Sequence, residues 1–102
     1  MSPIPGFRYT LARTMSVFLG GSAYNMVREL ADGFIIVTER TFKQYKPQDL
    51  TDFQMEADKL LREVRGAQLP VTDLEGTQKR QRRMQRLQQA ITIINAVRSR
   101  NR

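Results

Sequence analysis

Only one run in this chain has the composition of a β-strand, Phe34-Ile35-Ile36-Val37-Thr38, and no second run exists to pair with it. A lone strand would have to pair with another copy of the chain, because its backbone donors and acceptors find no partner at home. Elsewhere apolar residues recur every three or four positions. The prediction is therefore an all-α fold, a small bundle of about four helices with a long basic C-terminal helix. A length of 102 residues suits one such domain over 1–102, with 1–6 and 99–102 frayed.

Glycine and proline punctuate the expected helices. The first spans 7–19, with Tyr9, Leu11, Ala12, Met15, Phe18 and Leu19 on its apolar side and Gly20 as a left-handed C-cap. Ser22 then caps a second helix along Ala23, Val27, Leu30, Phe34, Val37, Thr41 and Tyr45. That reading absorbs the strand-like run despite Gly33, and intermolecular strand pairing at 33–38 is its alternative. Lys46-Pro47 ends the segment in a loop.

The third helix is the cleanest. Leu50, Phe53, Ala57, Leu60, Leu61 and Val64 fall within an arc of about 100° at about 100° per residue, opposite Asp52, Glu56, Lys59, Arg62 and Glu63. Thr51 with Gln54 offers a capping box at its start, and Gly66 a stop. After a linker around Pro70, Thr72 with Glu75 offers a second capping box, opening a basic helix over 73–98.

The absence of His and Cys excludes a thiolate nucleophile, a Ser-His-Asp triad, a zinc finger, an iron–sulfur site and a disulfide framework. Gly20-Gly21-Ser22 lacks P-loop spacing and reads as a hinge and cap. Asp49, Asp52, Glu56 and Asp58 read as a solvated helix face rather than a metal site. The expectation is a non-enzyme with no metal and no cofactor. The longest charge-free stretch inside the body, 14–27, is too short and polar for a membrane span. No basic cluster precedes an apolar segment at the N-terminus, so the cytoplasm is the expected location.

Charge carries the functional reading. The net +7 is uneven: residues 1–76 hold nine bases against all ten acids and stand at −1, whereas 77–102 hold eight bases and no acid, a local +8. On a helical wheel Lys79, Arg82, Arg83 and Arg86 share an arc of about 100°, beside an arc of Met84, Leu87, Ile91 and Ile94. Gln78, Gln81, Gln85, Gln88 and Gln89 take the next side. Ile93 and Val97 widen the apolar set, so the second half of this helix requires burial on more than one side.

Two functions from different classes follow. In the first, Lys79, Arg80, Arg82, Arg83 and Arg86 contact the phosphates of DNA or RNA. In the second, a structural or adaptor subunit self-associates or docks on a protein partner in a larger nucleoprotein or viral-type assembly, through Met84, Leu87, Ile91, Ile93, Ile94 and Val97. All eight Phe and Tyr residues precede Ala57, away from the basic run, so a stacking platform for single strands is not expected. The linker between the last two helices is also too long for a helix-turn-helix. Backbone-dominated contact with little sequence preference is the expected mode.

Overall fold

The computed structural model describes residues 17–100. Among them the fold consists of helix α1 (Ala23–Ala31), a 3₁₀ turn (Glu39–Phe42), helix α2 (Pro47–Arg65) and helix α3 (Leu74–Arg100), with no strand. The described residues thus form a three-helix bundle, where about four helices were expected. The helix expected over 7–19 lies outside them except for Val17, Phe18 and Leu19, none of which is helical: Val17 has no regular structure, Phe18 is a bend and Leu19 a turn.

Ser22 caps α1 as expected, its hydroxyl accepting from the Asn25 N–H at 3.1 Å. Ala23, Met26, Val27, Leu30 and Ala31 form the buried stripe. The helix then stops, and does not run on to Tyr45. Gly33 adopts φ +85°, the Phe34 N–H donates to the Glu29 carbonyl at 2.9 Å, and the Gly33 N–H donates to Leu30 at 3.0 Å. This is a Schellman stop, which uses glycine to reach the left-handed region without a Cβ clash.

Past the stop, residues 35–38 are neither helix nor strand. They run extended along α3, and their side chains alternate as strand propensity dictates. Ile35 packs on the core and Val37 is buried, whereas Phe34, Ile36 and Thr38 face outward. The 3₁₀ turn then delivers Phe42 into the core, where it meets Phe53 and Tyr45 edge-on with ring centroids 5.1 Å apart; Phe18 meets Tyr45 at 5.3 Å.

Helix α2 starts at Pro47, four residues before the capping box expected at Thr51. Proline needs no donor in a first turn, and the Lys46 N–H donates to the Asp49 carboxylate at 2.9 Å. Thr51 instead donates back to the Pro47 carbonyl at 3.1 Å. The six apolar residues read from the sequence are the six that α2 buries.

Asp73, not Thr72, caps α3, accepting the Gly76 N–H at 2.8 Å. Gly76 has a steric reason to be glycine there, since a Cβ would run into the Asp73 carboxylate. Leu87, Ala90, Ile94 and Val97 are buried against α2, α1 and the 3₁₀ turn, while no residue of 74–86 is fully buried. The buried second half follows the wheel; in the first half Lys79 and Arg82 are exposed as expected, whereas Arg80, Arg83 and Arg86 are half-buried.

Tyr45 gives the core a pH signature. Its hydroxyl donates to Met26 Sδ at 3.1 Å, and its pKa is raised from 10.0 to about 12, first by burial and then by the Asp49 carboxylate. Between those values the unfolded chain releases a proton that the folded chain keeps. The stabilisation is thus complete below pH 10 and is lost as pH rises through about 12. The stability advantage of the wild type over Tyr45→Phe should shrink by about 2 kcal/mol between about pH 9 and pH 12. Urea unfolding across that range tests this, and a pH-independent difference refutes it.

Candidate nucleic-acid interface

The basic arc of α3 meets the C-terminal end of α1. That end carries unsatisfied carbonyls and the negative pole of the helix, so a cation is stabilised there. The Arg86 guanidinium fills the position: Nη1 donates to the Ala31 carbonyl at 2.9 Å, and the group packs closely over Gly33, its Cζ 3.0 Å from where a Cβ would sit. Gly33 therefore does two things, making the left-handed turn and leaving room for the guanidinium.

One turn earlier, Arg83 Nε lies 3.2 Å from Asp32 Oδ1. This is an ion pair without hydrogen-bond alignment, and Nε is itself buried without a hydrogen-bonding acceptor. With both side chains partly solvated, its contribution to stability is about 0–1 kcal/mol. Arg80 turns to the other side of the helix and donates to the Ala67 carbonyl at 3.1 Å. The far end of α3 is held in the same way. Arg98 donates to Thr51 Oγ1 at 3.2 Å, and Arg100 forks onto the Glu39 carboxylate, with the Nη2 to Oε2 arm at 3.0 Å.

The five expected phosphate ligands therefore divide into two groups. Arg80, Arg83 and Arg86 are half-buried and engaged by the protein's own oxygens, whereas Lys79 and Arg82 are exposed and make no hydrogen bond or ion pair among the described residues. Lys79, Arg82, Arg83 and Arg86 are brought together around one cleft of about 360 Å³, with Asp32 and Phe34 completing its lining. Arg80 lies apart, in a neighbouring hollow with Arg28 and Glu63, which pair at 3.4 Å.

Of the residues named for partner docking, Leu87, Ile94 and Val97 are buried in this chain's own core, and Met84, Ile91 and Ile93 are half-buried against it. The acids set aside as a metal site are mostly engaged locally: Asp49 by the Lys46 N–H, Asp52 by Gln48 at 2.8 Å, Glu56 by Lys59 at 3.5 Å. No group of His, Cys, Asp or Glu among the described residues could hold a metal ion. No helix among them is long and apolar enough to cross a membrane.

Sequence reasoning missed Phe34. The expectation that no aromatic accompanies the basic run is corrected by the turn at Gly33, which carries Phe34 to the mouth of the basic cleft. Its signal was present as an aromatic directly after a glycine stop, but only the tertiary fold joins it to Lys79 and Arg82. Comparison with protein-family models, curated proteins and solved structures returned no match.

Because Arg86 caps α1, its removal should cost stability whether or not a ligand is present. Arg86→Met should lower stability by about 1.5–3 kcal/mol, the range for a charge-assisted hydrogen bond, or a Tm drop on the order of 6–24 °C. Lys79→Ala and Arg82→Ala should each stay within about 0.5 kcal/mol of wild type. Thermal unfolding of the three variants checks this division, and equal losses in all three contradict it.

Proposed function

We propose that this protein is a small non-enzymatic module that binds nucleic acid through phosphate contacts on the basic face of α3. The observation that carries this reading is the cleft of four cations, two of which, Lys79 and Arg82, have no internal use for their charge. Lys79 and Arg82 are the direct phosphate ligands. Arg86, fixed by the Ala31 carbonyl, adds positive potential from a position that costs no further ordering on binding, while the charge of Arg83 is balanced by Asp32.

The five glutamines of α3 are all exposed, and they extend a hydrogen-bonding surface alongside the cations. Each phosphate neutralised releases counterions, so affinity must fall steeply with salt. Fluorescence anisotropy with labelled oligonucleotides from low to physiological salt is the test. Lys79→Glu with Arg82→Glu should weaken binding at least tenfold and flatten the slope of log affinity against log salt by roughly 1.4 or more, the share of two phosphate contacts. Salt-indifferent binding, or an unaffected double variant, overturns the assignment. This pair is a cleaner test than any pair that includes Arg86, whose loss also uncaps α1.

A second reading, the self-associating structural subunit, is favoured by Ile36. It is 84% exposed in the middle of the extended run, where it could cover the same residue of a second copy. Light scattering across micromolar concentrations separates the two, because a concentration-dependent dimer lost in Ile36→Asp supports only this reading.

A further inference from the structure

We infer that the ligand of the basic cleft is a single-stranded polynucleotide, with Phe34 as the platform for an unpaired base; this rests on the phosphate-binding reading above. The residue after a Schellman glycine ordinarily folds back on an apolar side chain in the last turns of its helix. Here the corresponding positions are Arg28 and Glu29, which offer no such surface, and the Phe34 ring stands 78% exposed.

The mount under the ring is fixed. The Phe34 N–H is held by Glu29, and the next inward residue, Ile35, packs on the core. Lys79, Arg82, Arg83 and Arg86 share the cleft with the ring.

An exposed aromatic among cations is a poor surface for a second copy of this chain, since two-fold pairing there would bring eight positive groups together. It suits a ligand that is both anionic and aromatic. A phosphodiester strand with free base faces has both properties, and stacking on Phe34 between phosphates held by Lys79 and Arg82 uses each group once. A duplex keeps its base faces inside the stack and offers this ring nothing.

The experiment measures anisotropy for four labelled ligands of equal length: oligothymidylate, oligouridylate, an abasic phosphodiester strand and a mixed-sequence DNA duplex. Phe34→Ala should weaken binding of the base-bearing single strands by roughly 5- to 150-fold and leave the abasic strand and duplex within about twofold; Phe34→Trp should restore it. A response in either of the two base-bearing polymers suffices. If Phe34→Ala changes nothing while Lys79→Glu with Arg82→Glu weakens all four ligands, the stacking assignment is overturned and phosphate binding stands. If the wild type binds none of the four at low salt, both fall.

Discussion

The guanidinium of Arg86, seated on the bare backbone of Gly33 and bonded to the last carbonyl of α1, fixes how the elements meet. It caps the end of α1 that the Gly33 turn creates, and brings the basic face of α3 against the negative pole of another helix. Each partner needs the other. A side chain at position 33 would be strained at φ +85° and would crowd the guanidinium, and a shorter or neutral residue at 86 would leave the α1 carbonyls facing a partly desolvated crevice.

This contact also changes what the C-terminal charge means. The bare sequence shows eight like charges in one segment, which repel and seek an external anion. In the folded chain five of them are answered internally, by a carbonyl at Ala67, a carboxylate at Asp32, a helix end at Ala31, a hydroxyl at Thr51 and a carboxylate at Glu39. Much of the basic character is therefore the mortar between helices. Among the described residues of this segment, the cations without an internal partner are Lys79 and Arg82, the two on which the proposed phosphate contact rests.

How much of this was legible in the sequence follows from the range of each cause. The buried face of α2 could be read completely, because a 3.6-residue period is a local property and Leu50 through Val64 carry it without interruption. The two halves of α3 could be read for the same reason. The end of α1 could not. Periodicity through Phe34, Val37 and Tyr45 argued for one long helix, and a single glycine with a β-branched run after it outweighed that pattern once Arg86 and α3 provided a surface for Ile35 and Val37. Helix starts shifted by one to four residues because several groups compete to cap each end, as Asp73 does with Thr72 and Asp49 with Thr51. The meeting of Phe34 with Lys79 and Arg82 was illegible in principle, being made by two elements that lie about 45 residues apart.

The absence of fully buried residues over the first three turns of α3 has a mechanical consequence. That stretch is clamped at one end where Leu87 enters the core, and is held along its length by Met84 against the core, by the Asp73 cap and by the reach of Arg80, Arg83 and Arg86. Most of its ties to the rest of the bundle are polar, from Arg80, Arg83 and Arg86. Lys79 and Arg82 sit on the stretch of α3 that has no fully buried residue, so any anion that bridges Lys79 to the anchored guanidinium groups also ties that stretch more firmly to the bundle.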